Sequence, residues 1–306
     1  MGAGDGSHPT NPIRAKLATE LLQQQLGNRV NVIIPNPAEK RDSDMEKLTA
    51  THDPDYVLRT MNGDNAQWYR TDTDVAEAGF AMFQGTIRAV ELILSGEAKV
   101  VFNPQGAKHH ARYAQGSGFC IFNDMAYAAM ALKEAGLRPL YIDWDIHAGD
   151  GVFHMLKGQG IPTISIHNST GYPMDRELQS LDDTRREVVD AENLGYGINV
   201  LSGDGDDVFK AAIDRARGII DDYQPDVILL AAGADGHTGI GNLGAITNYT
   251  AEGFKYAAEM VAEQANKHAQ GRVIIGGAGG YQPLKETPET WALVVSTTYE
   301  NVSQGE

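Results

Sequence analysis

Apolar residues at Ile13, Leu17, Leu21, Leu22 and Leu26 recur every three or four positions, which predicts a helix over 13–26, started by Pro12 and stopped at Gly27. The run Val30–Ile34 predicts a short strand, and a charged segment leads from it to Asp53-Pro54, which reads as the entry to a helix ending near Gly63. The longest amphipathic stretch runs from about Asp74 to Ser95, where Ala78, Met82, Ile87, Val90 and Leu94 supply a face to bury and Gly96 ends it. Strands and helices then alternate. Strands are predicted at Lys99–Phe102, Leu140–Asp145, Thr163–Ile166, Tyr196–Leu201, Asp226–Ala232 and Arg272–Gly276. Helices are predicted at Met125–Ala135, Val152–Leu156, Asp206–Asp222, Ala251–His268 and near Glu289–Thr298. Near-continuous apolar strands such as Val227–Ala232 imply an α/β fold whose central parallel sheet is covered by helices on both faces. No linker or repeat interrupts the pattern, so residues 1–306 read as a single domain.

Composition narrows the class. With 42% hydrophobic residues the chain can bury a sizeable core, and 34 glycines fit many tight strand-to-loop turns. A net charge of −16 and a pI near 4.9 disfavour direct binding to nucleic acid or an anionic membrane and favour cationic ligands. Cys120 is the single cysteine, which excludes an intrachain disulfide and a Cys-rich zinc site. No apolar run approaches the roughly 20 residues needed to span a bilayer, and the N-terminus lacks the basic and apolar regions of a signal peptide. A soluble, cytoplasmic protein is expected.

Candidate chemistry concentrates after the strands. In Leu140-Tyr-Ile-Asp-Trp-Asp-Ile-His-Ala-Gly-Asp-Gly-Val152, strand alternation puts Leu140, Ile142, Trp144 and Ile146 on one face and Tyr141, Asp143, Asp145 and His147 on the other. Burying two carboxylates side by side is costly unless something positive neutralises them, and a divalent cation held by Asp145 and His147 does so directly. Asp235, in Ala232-Gly-Ala-Asp-Gly-His-Thr-Gly239, follows an apolar strand and either completes that metal site or caps the next turn. The pair His109-His110 lies in a glycine-bearing loop, where histidine serves as a general base tuned by a carboxylate or as a solvated surface group. In Gly276-Gly-Ala-Gly-Gly-Tyr281 the glycines allow close approach of backbone to a ligand, without the spacing of a dinucleotide fingerprint. Parallel sheets bind ligands beyond the carboxyl ends of their strands, where all of these residues fall.

Taken in order, His8-Pro-Thr-Asn-Pro12, His109-His110, Gly118-Phe-Cys, Asn123-Asp124, Asp143-Trp-Asp-Ile-His147, Gly149-Asp-Gly-Val152, Asp235 and Gly279-Gly-Tyr281 resemble the zinc-dependent histone deacetylase family, including its bacterial acetoin-utilisation and amidohydrolase members. The resemblance covers nearly the whole chain and implies an arginase-deacetylase fold. It implies Asp145, His147 and Asp235 as ligands of Zn2+, or of Fe2+, with coordination left open for water and a substrate carbonyl. It implies His110, partnered by Asp150, as the group that takes and returns a proton, His109, partnered by Asp143, as an orienting and charge-stabilising group, and Tyr281 as the oxyanion donor. Gly118 and Phe119, with Tyr172, are implied along a narrow tunnel for an acyl-lysine stem, with Leu243 at its floor or rim. A structural K+ near Asp143 and the backbone around Ser165 is also implied.

The chain departs from the family in three places. Ala148 stands where members usually carry a second histidine, Gly239-Ile240 replaces the usual Gly-Asp after the third ligand, and no acidic rim residue stands out near Trp68–Asp74. The expected activity is hydrolytic removal of an acetyl group from an N-acetylated amine, either acetyl-lysine in a peptide or protein or an acetylated polyamine. An arginase-like binuclear hydrolase would need a second set of carboxylate ligands that the sequence lacks. A silent acyl-binding relative would have no use for Tyr281 together with both histidines.

Overall fold

The computed structural model describes residues 10–64, 73–238 and 247–303. Seven strands form one sheet: β1 (Val100–Asn103), β2 (Pro139–Asp143), β3 (Thr163–Asn168), β4 (Val188–Asp190), β5 (Gly195–Val200), β6 (Val227–Ala231) and β7 (Val273–Gly276). Their order is β1-β7-β6-β2-β3-β5-β4, and every pairing is parallel except the edge pair β4–β5.

The helices are α1 (Ile13–Leu26), α2 (Arg41–Thr51), α3 (Pro54–Met61), α4 (Thr73–Ser95), α5 (Asp124–Glu134), α6 (Asp150–Leu156), α7 (Asp206–Tyr223), α8 (Ala251–His268) and α9 (Glu286–Ser303). Local signals explain several of their ends. The Asp53 side chain accepts from Tyr56 N at 2.9 Å, with Pro54 in the first turn of α3. Asn123 accepts from Ala126 N at 2.9 Å at the start of α5, and Thr250 from Glu252 N at 3.2 Å at the start of α8.

Alternation along the strands sorts the core into two layers. Leu140, Ile142, Ile228 and Leu230 pack with Phe209, Ile213, Phe254 and Val261 of α7 and α8. Tyr141, Leu229 and Ile274 pack with Phe83 and Ile87 of α4 and with Met125 of α5 on the opposite face. A sheet buried on both sides needs apolar residues at successive positions, which is why the strands read as continuous hydrophobic runs. From β2 the chain moves outward through β3 to β5, whereas from β6 it moves the other way to β7. The carboxyl ends of β2 and β6 therefore flank a topological switch point, the place where such sheets open a crevice.

Leu94, expected on the buried face of α4, is exposed, and two further sequence expectations change. Residues 30–34 form no strand, and Val32, Ile33 and Ile34 are exposed. Their β propensity has neither a partner ladder nor a face to bury, and propensity alone does not hold a strand. The charged segment after it contains α2, whose buried face carries Asp44 in place of an apolar residue. Arg88 Nη2 donates to both oxygens of Asp44 at 2.8 and 2.6 Å, and Gln84 Nε2 donates at 2.9 Å, so the helix docks through an ion pair that apolar periodicity does not reveal.

His52 fastens the loop between β1 and α5. Asn123 N donates to its Nε2 at 2.8 Å, so the proton sits on Nδ1, which donates to the carbonyls of Arg112 and Tyr113 at 3.1 Å each. Burial pushes this imidazole down to about 4. Because the folded-state value lies below the ordinary one of about 6.5, the neutral ring contributes its full stability above pH 6.5 and loses it as the pH falls toward 4, by about 1.4 kcal/mol per pH unit. Unfolding free energy measured in urea between pH 7 and 4 should therefore fall, and His52→Gln should remove one proton's worth of that slope. An unchanged slope would show that His52 is not held neutral.

Candidate active site

The motif after β2 keeps its alternation beyond the last paired residue. Trp144 and Ile146 enter the core layer of α7 and α8, leaving Asp145 and His147 on the other side of the backbone. The backbone N–H of Asp145 donates to Asp143 Oδ1 at 2.9 Å and that of His147 to Asp145 Oδ1 at 3.0 Å, which curls the segment. Asp235, just after β6, accepts from Ile146 N at 3.0 Å. Of its two sequence readings, this places it beside the first two acidic and imidazole groups.

His147 Nδ1 lies 3.0 Å from Asp145 Oδ1 and 3.0 Å from Asp235 Oδ2, and potential ligand atoms of all three residues lie within 4.8 Å of one another. All three are buried. Burial and the neighbouring Asp145 carboxylate push Asp235 up to about 6. Two buried carboxylates and a buried imidazole converging on one point call for a cation, and the oxygen and nitrogen donors suit a divalent metal. The backbone is shaped around the group: Gly279 N donates to Asp145 Oδ2 at 2.7 Å, and a Cβ at Gly279 would stand 2.4 Å from Asp145 Oδ2 and 2.7 Å from Asp235 Oδ2. The residues present fit a metal ion.

The histidine pair approaches from the loop after β1. Asp124, at the start of α5, accepts from Ala107 N at 3.0 Å and Lys108 N at 2.7 Å, while Val152 N donates to His109 O at 3.1 Å. A Cβ at Gly151 would come within 2.6 Å of this loop's backbone, so glycine there lets α6 and the loop touch. His109 Nδ1 lies 2.7 Å from Asp143 Oδ2, and His110 Nδ1 lies 2.7 Å from Asp150 Oδ1. Because a carboxylate only accepts, each Nδ1 carries a proton, and neutral His110 exposes Nε2 as a base. Burial and then the adjacent His109 press His110 down to about 4 against the pull of Asp150. Burial likewise opposes a charged His109, but Asp143 and Asp145 outweigh it and raise that ring to about 9. The neighbours thus have opposite tendencies, a neutral base beside a cation.

Tyr281 stands on the other side, its ring centroid 6.3 Å from that of His147. Burial and the Asp235 and Asp145 carboxylates raise its phenol well above the ordinary value, so it keeps its proton and can donate it in a hydrogen bond. Tyr172 meets His110 edge-on at 4.9 Å between centroids, and its hydroxyl contacts the hydroxyl of Ser117. Phe119 is partly exposed beside Gly118, whose φ is +49°. A Cβ on Gly118 would lie 2.3 Å from His110 Cδ2 and 2.9 Å from Tyr172 Cε1. Gly118 and Tyr172 therefore flank His110. Leu243 and Gly239-Ile240 lie outside the described residues, as do His8 and most of Trp68–Asp74. Ala148, one of the three departures from the family pattern, is buried against Phe153 and Leu178.

The sequence motifs assign no role to several neighbours of this centre. Tyr141 donates its hydroxyl to Asp143 Oδ2 at 2.6 Å. Arg14 is buried, stacks over Trp291 and donates through Nη1 to Gly280 O at 2.7 Å, next to Tyr281. Its signal was an arginine on the face that Ala18 and Leu22 bury in α1. Lys108 is held below the usual lysine range by burial and by Arg14. Arg112 donates to Asp150 Oδ2 from Nε at 3.1 Å and from Nη2 at 2.7 Å.

Comparison with known proteins places the chain in a family. The family model described as "Histone deacetylase domain" matches residues 8–298. The chain is similar to "Acetoin utilization protein AcuC" of Bacillus subtilis (strain 168), at 30% identity over 94% of this chain and 76% of that protein. It is also similar to the protein of the same name from Staphylococcus aureus (strain MRSA252), at 28% over 94% of this chain and 76% of that protein. "Type-1 histone deacetylase 1" of Dictyostelium discoideum is 28% identical over 95% of this chain and 59% of that protein. With a mostly parallel seven-stranded sheet and this match across nearly its full length, the chain belongs to the histone deacetylase family and has its arginase-deacetylase fold, and it is a hydrolase of acetylated amides.

Proposed function

We propose that the protein is a zinc-dependent deacetylase that removes the acetyl group from acetyl-lysine side chains of peptides or proteins. One observation carries this reading: two histidines, each with its own carboxylate, and the tyrosine Tyr281 face the same Asp145, His147 and Asp235 group. Zn2+, or Fe2+ on the same donors, would be held by those three side chains. Bound there, it would supply Lewis acidity, polarising the amide carbonyl and bringing the pKa of a water to about 7.

The protein's own groups do the rest. His110 Nε2 takes the proton of the attacking water and returns it to the departing amine, while Asp150 keeps Nδ1 protonated. His109, its charge held by Asp143, orients the water and stabilises negative charge as it develops. The Tyr281 hydroxyl donates to the oxyanion. Gly118, Phe119 and Tyr172 flank the lysine stem and exclude water, and Asp143 with the backbone near its register partner Ser165 would hold a structural K+.

Turnover of an acetyl-lysine peptide and of an N-acetylated polyamine by the zinc-loaded protein, each with a chelator control, tests the reading. A higher kcat/KM on the peptide supports it, preference for the polyamine would make the protein a small-molecule amidohydrolase, and chelator-insensitive turnover would refute the metal chemistry. Asp235→Asn should lower bound zinc after dialysis by about tenfold or more in affinity. Full occupancy by metal analysis would remove Asp235 from the ligand set.

A further inference from the structure

We propose that Arg112 is a positioning residue for this reaction, locking the carboxylate that holds His110 to the loop that carries Tyr172, so that the proton-handling ring and the tunnel wall are set as one unit. The inference rests on the roles proposed above for His110 and Tyr172. Asp150 is buried and spends Oδ1 on His110, so its other oxygen decides how firmly it is held. Arg112 places two donors on that oxygen, Nε at 3.1 Å and Nη2 at 2.7 Å, and Nη2 also reaches Asp175 Oδ2 at 3.2 Å.

Both ends of this strut are anchored. Arg112 N donates to Gln115 O at 2.8 Å, and its own carbonyl accepts from His52 at 3.1 Å. Asp175 N donates to Gln179 Oε1 at 2.7 Å, and Gln179 Nε2 donates to Asn168 O at 2.9 Å, closing the loop on which Tyr172 sits. His154, one turn after Asp150 in α6, lies with Nε2 2.6 Å from Asp175 Oδ2 and completes a return path to the same helix. A planar guanidinium can serve two carboxylates from one side chain, whereas a lysine ammonium is a point charge on a flexible stem. The arrangement therefore uses what distinguishes arginine.

The test compares Arg112→Gln, Asp175→Asn and the double variant with the wild type on an acetyl-lysine peptide, with active sites titrated by a tight hydroxamate. Arg112→Gln should lower kcat per titrated site by about tenfold to a hundredfold, the cost of slight misplacement of a catalytic group. Asp175→Asn, which leaves Asp150 intact, should lower it several-fold and add nothing in the Arg112→Gln background, because both break one strut. A purely structural role would reduce the number of titratable sites and leave kcat per site unchanged. That result, or losses that multiply in the double variant, would overturn the proposal. The crystal structure of Arg112→Gln gives a readout independent of turnover. Asp150 should turn from His110 and Tyr172 should shift, and if both stay in place the strut is refuted even where the wild type proves to be a deacetylase. A wild type without turnover would sink the deacetylase reading, while the same crystal structure would still decide the strut.

Discussion

His110→Ala should lower kcat by about a thousandfold while leaving hydroxamate affinity within a few-fold of wild type, since positioned general acid–base groups contribute on the order of 10²–10⁴. The expectation follows from the asymmetry of the pair. His110 is pressed toward its neutral form at about 4, with Asp150 fixing the proton on Nδ1, whereas His109 is raised to about 9 by Asp143 and Asp145. Only a neutral ring can accept a proton at pH 7, so the loss should fall on turnover rather than on the metal group. Single-turnover kinetics beside a hydroxamate titration separates the two quantities. Near-normal turnover would assign proton transfer elsewhere, with His109 the next residue to examine. The ring also packs against Tyr172, so the thermal midpoint of the variant is the control for loss of packing.

Tyr281→Phe should keep the fold and the bound metal yet lower kcat by about a hundredfold or more, matching about 3 kcal/mol for removal of one preorganised oxyanion donor. The ring would remain against the cluster of Ala18, Ala234 and Trp291, so the variant removes one hydroxyl and little packing. Burial beside Asp235 and Asp145 keeps the phenol protonated, which makes it a donor throughout the working pH range. An unchanged rate would take Tyr281 out of the mechanism. A rate lost together with metal would instead show that the hydroxyl supports the ligand group.

How much of this was legible in advance differs by residue. Asp143, Asp145 and His147 lie within five positions of one another, so alternation along a strand already grouped them on one face. The sorting of Trp144 and Ile146 into the opposite core layer fits that expectation. Asp235 was ambiguous between a ligand and a turn cap, because its neighbour Ile146 is 89 positions away in the chain. The pairings of His109 with Asp143 and of His110 with Asp150 came from resemblance alone, as they join residues 34 and 40 positions apart. Arg112 sits two residues beyond His110, yet nothing local distinguishes it from a solvated surface charge.

The sequence by itself determined the alternation of helices and buried strands, the placing of the unusual residues after the strands, and the candidate metal-binding motif, because periodicity, caps and close spacing act through near neighbours in the chain. Only the tertiary structure decided that residues 30–34 stay unpaired, that α2 docks through Asp44 and Arg88, that β4 closes one edge antiparallel, and that Arg14 lies buried behind Gly280. In each case the outcome depends on whether a distant group meets a backbone edge or a buried charge. A polar side chain enters the interior only where such a partner awaits it, and the partner's position is a property of the fold.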